Sequence, residues 1–305
     1  MTYSGGYTTG YIGSTGLEPY EFKFLDAGVI LNSDPFTPEG SFVDITKVTG
    51  LSSAPYRTTE RDREGMDGGF IDAEFEKMRT IVLEGTAYAT VENIIAFLDL
   101  LKENYAPVKE PLPFYFHAPN IGVRVAFCKA YGVSFDWDTA LRTGTSPVQF
   151  ILTAEDPTIY EAIPTTVTCS LPVEGAGRGY DKAFDYGYGG PNSGGFIAIN
   201  NAGNKPANAI ITIQGPVINP IVTHDTTGKF LSFNITVGAD QFLTIDLRNR
   251  TVLLNGSSNR RSALINTSRW FLLLPGDNSF RFGGTDPVGG APDPLMTIQA
   301  RGAYR

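Results

Sequence analysis

Short runs that alternate apolar and polar residues, punctuated by glycine, proline and asparagine, fill the C-terminal half of the chain. Ala209-Ile210-Ile211-Thr212-Ile213 stops at Gly215-Pro216, and Phe230 to Phe233 follows a turn at Thr227-Gly228. Phe242 to Leu247 has the period of two expected of a half-buried strand. Thr251 to Leu254 resumes after Arg248-Asn249-Arg250, and Asn255-Gly256 is a turn signal because both residues tolerate positive φ. Trp270 to Leu274 reads as a further strand, ended by Pro275-Gly276-Asp277-Asn278, and Ser279 to Phe282 leads out of that turn. The pattern predicts an antiparallel β-sandwich.

The N-terminal half is also mostly β. Tyr20 to Leu25 and Phe42 to Val48 alternate, and Val123 to Tyr131 and Val148 to Ala154 are apolar enough for inner strands. Pro111 to Phe116 reads as an edge strand, since its prolines cannot donate to a ladder. One helix is expected at about 91–105. Val91, Ile94, Ile95, Leu98 and Leu101 recur at three- and four-residue spacing. Thr90 is the expected N-cap and Pro107 the stop.

Three segments lie outside this pattern. Residues 1–19 form a Tyr/Gly-rich arm with no periodicity, either an unstructured tail or an arm docking Tyr3, Tyr7 and Tyr11 on a neighbour. Tyr56 to Asp72 is dense in charge, with Arg57, Arg61, Arg63, Glu64 and Asp67. It reads as a solvated loop, or as a projecting hairpin suited to a subunit contact, because loops this long are uncommon unless functional. Gly175 to Gly195 reads as a surface loop. The expected organisation is thus an arm over 1–19, a first domain over 20–165 and a β-sandwich over 166–305.

Composition narrows the function. A chain of 305 residues with 42% hydrophobic content can build a sizeable core, and 34 glycines with 20 prolines suit a turn-rich β fold. The net charge of −8 argues against binding to a phosphate backbone. No apolar run approaches the roughly 18 residues that span a membrane, and residues 1–17 lack the pattern of a signal peptide. Synthesis and assembly in a cytoplasm are therefore expected. Two cysteines, Cys128 and Cys169, make no disulfide framework and read as reduced, mostly buried side chains.

No catalytic constellation emerges. The two histidines, His117 and His224, have no metal-ligand spacing and read as strand-end residues. No nucleophile elbow or phosphate-cradling loop occurs. Asp136 and Asp138 bracket Trp137, a pair that could suggest a glycosidase but is common by chance. The expectation is a protein without enzymatic activity, cofactor or metal. Trp270 is either a core residue or a stacking platform for a glycan.

Four motifs in order carry a resemblance: Ile211 to Pro220, Thr226 to Phe233, Ile245 to Gly256 and Trp270 to Asn278. Together they resemble the C-terminal half of distal tail proteins of long-tailed, siphovirus-like bacteriophages. Val48-Thr49-Gly50-Leu51, Arg79 to Gly85 and Ala154 to Tyr160 are similar to the belt domain of the same family. The resemblance implies an all-β chain with one amphipathic helix: an N-terminal β-sandwich or barrel belt domain and a C-terminal galectin-like, jelly-roll β-sandwich. It implies a structural virion protein at the distal end of the tail, a homo-hexameric ring joining the tail tube protein to the tail tip or baseplate hub protein. DNA would pass through the lumen without specific binding, and no membrane insertion is expected. The alternative is a carbohydrate-binding module of the tail tip that contacts the host envelope.

Overall fold

The computed structural model describes residues 16–25, 28–33, 40–71, 75–172, 195–287 and 293–305. Contacts divide the chain into two units. The first runs to Ala162 and takes in Tyr304–Arg305; the second is Ile163–Ala303. The arm tyrosines Tyr3, Tyr7 and Tyr11, and nearly all of the Gly175 to Gly195 loop, lie outside the described residues.

The first unit begins with β1 (Phe22–Phe24), β2 (Ile30–Leu31) and β3 (Phe42–Thr49). Four short strands follow: β4 (Tyr56–Arg57), β5 (Glu60–Asp62), β6 (Gly69–Ile71) and β7 (Phe75–Glu76). Then come β8 (Arg79–Tyr88), α1 (Ile94–Asn104), β9 (Leu112–Ala118), β10 (Gly122–Phe135), β11 (Thr145–Ala154) and β12 (Ile159–Glu161). The main sheet has the order β2-β1-β9-β10-β11-β8-β3, with β12 also on β10, and its path does not close into a barrel. The long β10 makes the bend. Its first half pairs with β9 and its second with β11, and the register shifts between Ala130 and Val133. Gly132 sits in that bulge at φ +112°, where an L side chain would be strained.

Residues 112–118 occupy an inner position, not the expected edge. The prolines permit it because β1 is only three residues long and pairs with Phe114 to Phe116. Pro113 lies beyond that ladder, yet its carbonyl still accepts from Leu25 N at 3.0 Å. The helix is shorter than the pattern suggested. It starts at Ile94 with Asn93 as N-cap, and Val91 is exposed. Thr90 contributes a backbone carbonyl, which accepts from Asn93 N and Ile94 N, each at 2.9 Å. Ile94, Phe97, Leu98 and Leu101 face a core that includes Phe24, Ile81, Leu83, Phe114, Phe150 and Leu152.

The second unit contains β13 (Thr165–Ser170), β14 (Phe196–Asn201), β15 (Ala209–Gln214), β16 (Val217–His224), β17 (Lys229–Ser232) and β18 (Thr236–Val237). It continues with β19 (Phe242–Asp246), β20 (Thr251–Leu254), β21 (Ser258–Asn259), β22 (Gly276–Thr285) and β23 (Leu295–Ala300). Two antiparallel sheets result, β13-β23-β15-β19-β20-β21 and β14-β22-β16-β17 with β18 on β16. Each buries one side of its alternating strands: Ile211, Ile213, Leu243 and Ile298 from the first, Val222, Leu231, Phe280 and Phe282 from the second. This is sandwich packing. The chain is all-β with one described α-helix, as the sequence pattern indicated.

Trp270 to Leu274 is not the expected strand. Leu273 makes a single bridge to Ala207, and the rest of the segment is held by side chains. Buried Asn201 donates to Lys205 O at 2.9 Å and Leu273 O at 3.4 Å, and accepts from Gly203 N and Ala303 N at 3.1 Å. Asn278 does the same at the segment's far end, accepting from Leu274 N and donating to Leu274 O, both at 2.8 Å.

Candidate interaction surfaces

The charged stretch after β3 folds as a two-stranded ribbon. β4 pairs with β7 and β5 with β6 across a tip at Arg63 to Gly68. Gly65 and Gly68 both take positive φ at the tip. Directly opposed partners share a face, so Arg57 lies across from Phe75 and Arg61 across from Phe70. The guanidinium of Arg57 sits 5.6 Å from the Phe75 ring centre, and that of Arg63 sits 4.6 Å from Phe70. Such cation–π contacts contribute about 0.5–1 kcal/mol at exposed sites. Glu64 and Asp67 are exposed at the tip. Met66, Phe70, Ile71 and Phe75 are all more than half exposed.

Arg79 fixes the ribbon's root. Only 1% exposed, it donates from Nη1 to Gly50 O at 2.8 Å and Leu51 O at 2.9 Å, where the chain leaves β3 for the ribbon. Its Nε donates to Pro157 O at 2.8 Å. The Ala154 to Tyr160 segment is shaped to receive it. Asp156 accepts from Thr158 N at 3.1 Å and from the Tyr160 hydroxyl at 2.6 Å. Burial pushes the guanidinium pKa down, opposed by Glu76 and then by weaker neighbours including Asp156. Gly50, at φ +87°, leaves no room for a side chain: a Cβ there would lie 1.9 Å from Thr80 O.

In the second unit, Trp270 is half-buried on the wall of a cleft of about 360 Å3. Lys229, Arg248 and Arg250 line the same cleft with Asn208 and Thr227. Behind it sits His224, which is fully buried and not merely a strand-end residue. Asn278 Oδ1 accepts from Leu274 N, and its Nδ2 donates to Leu274 O and Gly276 O at 2.8 Å, which fixes its orientation. His224 Nε2 therefore donates to Asn278 Oδ1 at 3.1 Å, and Nδ1 accepts from the Thr227 hydroxyl at 2.8 Å. His117 differs: Nδ1 donates to Leu17 O at 2.7 Å.

The remaining candidate chemistry is structural. Asp138 caps a 3-10 turn, Thr139–Thr143, by accepting from Ala140 N at 2.9 Å. Among the described residues no three His, Cys, Asp or Glu side chains come together as a metal site requires, and no helix is long and apolar enough to cross a membrane. Cys128 is buried and its thiol is pushed up to about 12; Cys169 is half-buried and raised to about 11. Desolvation is the main cause in both, so neither is a thiolate at neutral pH. A maleimide is expected to modify Cys169 slowly and Cys128 only after unfolding. Rapid labelling of both, followed by mass spectrometry, would contradict this.

Residues 202–289 match the family model described as siphovirus-type tail component, C-terminal domain (SPP1 Dit). That segment carries the C-terminal domain of a siphovirus-type tail component. No curated protein matches the chain. The fold of the chain is similar to the crystal structure of SPP1 Dit (gp 19.1), a protein described as a paradigm of the hub adsorption apparatus in phages infecting Gram-positive bacteria. The two are 15% identical with a TM-score of 0.61, over 92% of this chain and 98% of that one. Chains of the phage P2 baseplate, in its activated conformation with calcium and with strontium, are also similar. They are 12% and 11% identical, each with a TM-score of 0.51 over 92% of this chain and 98% of theirs. At these identities the likeness speaks to fold, and the all-β architecture of the chain agrees with it.

Proposed function

We propose that copies of this chain associate head-to-tail into a closed ring at the distal end of the tail, six copies as the family resemblance implies. The ring sits between the tail tube protein and the tail tip or baseplate hub protein, and leaves a lumen for DNA. Its role is geometric, not catalytic. The observation that carries this reading is the ribbon. A two-stranded ribbon is marginal alone in water, yet this one exposes four large apolar side chains, Met66, Phe70, Ile71 and Phe75. It is also rigidly rooted by Arg79. Large apolar side chains exposed in this number on one short ribbon support an interface there. A heterologous contact whose rotation closes yields a ring, and a permanent contact of this class buries roughly 2,000 Å2 or more. Arg57, Arg61, Arg63, Glu64 and Asp67 then supply the polar rim and the orientation, while Phe70 and Phe75 supply the buried part. The net charge of −8 suits a lumen that repels passing DNA.

Light scattering on the purified chain tests this. A species near six times the 33.0 kDa chain mass is expected. The double variant Phe70→Ser/Phe75→Ser is expected to run as a monomer with an unchanged circular dichroism spectrum. A wild-type chain that stays monomeric at every concentration, or a variant that still assembles, would remove the ribbon from the interface.

A further inference from the structure

The chain contains one Asp-Gly step, Asp67-Gly68 at the ribbon tip, and one Asn-Gly step, Asn255-Gly256 between β20 and β21. In either dipeptide the glycine nitrogen can attack the side-chain carbonyl carbon of the residue before it, because glycine carries no side chain to stand in the way. In a folded protein the outcome depends on whether the two groups are free to meet. At Asp67 they are. The residue is exposed, and among the described residues its carboxylate has no hydrogen bond or ion pair. Gly68 N has no acceptor among them either; only the Gly68 carbonyl is engaged, accepting from Arg63 N at 3.1 Å. A Cβ at Gly68 or Gly65 would meet nothing within 4 Å, so the tip is open around the reacting atoms. Asn255 is held instead. Its Oδ1 accepts from Phe242 N at 3.0 Å, and its own N donates to Phe242 O at 2.8 Å. Backbone and side chain are both clamped to β19, and the side-chain carbonyl carbon cannot swing to Gly256 N without giving up the Phe242 bond. Gly256 N has no acceptor among the described residues either, so the two sites differ in the side chain that would be attacked.

We propose that Asp67-Gly68 is a site of spontaneous modification, at which the aspartate converts to isoaspartate in the folded chain. Gly68 N bonds to Asp67 Cγ. The carboxyl hydroxyl leaves with the amide proton as water, which closes a five-membered succinimide. Water then adds to one of the two ring carbonyls. Opening at Cγ restores aspartate, and opening at the Asp67 backbone carbonyl leaves the main chain running through the former side chain. One water leaves and one enters, so the net change is an isomerisation that needs no enzyme and no oxidant. The product has one more backbone atom and a carboxylate attached directly to Cα. The extra atom falls inside the loop that Arg63 N and Gly68 O close. Next to that loop only Glu60 to Asp62 pair with Gly69 to Ile71, so little holds the register of the ribbon against the change. The consequence for assembly rests on the ring reading: a chain modified while free presents an altered tip, whereas a chain already in the ring has its tip covered by a neighbour.

The test holds the full chain at neutral pH in water enriched in heavy oxygen, in parallel folded and unfolded in guanidinium chloride. Each passage through the succinimide leaves one labelled oxygen in the residue, whichever way the ring opens, and peptide mass spectrometry reads the label at each site. Isoaspartate is counted separately, with an isoaspartyl methyltransferase and a labelled methyl donor. Asp67 is expected to react in the folded chain within threefold of its unfolded rate, because an exposed loop tip needs no opening of the fold. Asn255 is expected to slow at least tenfold on folding, because its clamp must open first. Asp67→Glu would have to close a six-membered ring; it is expected to take up no label at that position and to keep the circular dichroism spectrum of the parent. The proposal is overturned if folding slows Asp67 more than threefold, if label enters Asp67 and no isoaspartate forms, or if Asn255 reacts as fast folded as unfolded, since exposure and clamping would then not govern the chemistry. In an aged sample separated by size, isoaspartate is expected to be depleted from assembled chains. Isoaspartate spread evenly over free and assembled chains upholds the modification and counts only against the ribbon as the ring interface.

Discussion

Replacing Arg79 by methionine is expected to lower the stability of the first unit by about 3 kcal/mol, since each buried polar group left unsatisfied costs roughly 1–3 kcal/mol. Methionine fills much of the space, but the carbonyls of Gly50, Leu51 and Pro157 lose their shared donor. For a unit of this size the loss corresponds to a fall in Tm of roughly 6–12 °C. Lysine is expected to recover only part of it. One ammonium cannot reproduce the fork that reaches Pro157 O through Nε and Gly50 and Leu51 through Nη1. Scanning calorimetry should show one transition shifted, and hydrogen exchange should assign the lost protection to residues 42–57, 79–88 and 145–161. An unchanged Tm would mean that water satisfies the three carbonyls as well as the guanidinium does.

The same substitution separates stability from assembly. Arg79→Met keeps every residue of the ribbon but loosens its root, so the ribbon loses its aim while the sheet remains folded. Under the ring proposal, assembly fails at temperatures well below the new Tm. Arg79 thereby gives a physical meaning to two stretches that the sequence offered only as resemblances, Arg79 to Gly85 and Ala154 to Tyr160. The first contributes the guanidinium, and the second contributes the carbonyl of Pro157, shaped by Asp156 and Tyr160.

Strands were legible in the sequence where one face is buried, because alternation then follows directly from burial. Phe242 to Asp246 and Thr251 to Leu254 are examples, and Asn255-Gly256 takes positive φ at both residues, as its turn signal required. Alternation failed at Trp270 to Leu274. The segment alternates in burial, but side chains and one bridge hold it in place of a ladder. Proline misled at residues 111–116 because an edge is a property of a neighbour's length, and nothing local states that β1 is short. At the helix start, Val91 shares the apolar spacing but lies outside the helix and is exposed.

The candidate surfaces were legible as composition and not as geometry. Arg57, Arg61 and Arg63 announced a charged projection, while Phe70 and Phe75 passed unnoticed as their partners. A signal for them existed: each phenylalanine and its opposed arginine lie nearly equidistant from the Arg63 to Gly68 tip. Trp270 was named alone. Its companions Lys229, Arg248 and Arg250 come from two different turns, and only the fold of the sandwich brings those turns together. His224 and Asn278 are 54 residues apart and carry no motif that links them.

That pair carries the second large effect. Asn278→Leu is expected to destabilise the second unit by about 3 kcal/mol, because it strands Leu274 N, Leu274 O, Gly276 O and His224 Nε2–H, at roughly 1–3 kcal/mol for each group that water cannot reach. The pH dependence follows from His224. Burial lowers its pKa, with Lys229 acting in the same direction and the Asn278 hydrogen bond and Asp225 acting against it. The unfolded chain binds a proton at this position near its ordinary value of about 6.5, and the folded chain binds it only at lower pH. Between those two values the unfolded state holds more protons, so stability falls as pH falls. The contribution of His224 is therefore complete above about pH 6.5, declines below it, and stops changing once pH drops beneath the folded value. His224→Gln removes the titration, and its stability should vary less with pH in that window even if it is lower throughout. The measurement is denaturant unfolding followed by Trp270 emission in the Trp137→Phe background, from neutral to mildly acidic pH. Parallel curves for the parent and His224→Gln would show that the imidazole gains its proton as readily in the sandwich as in water, and would break the link between its burial and its charge.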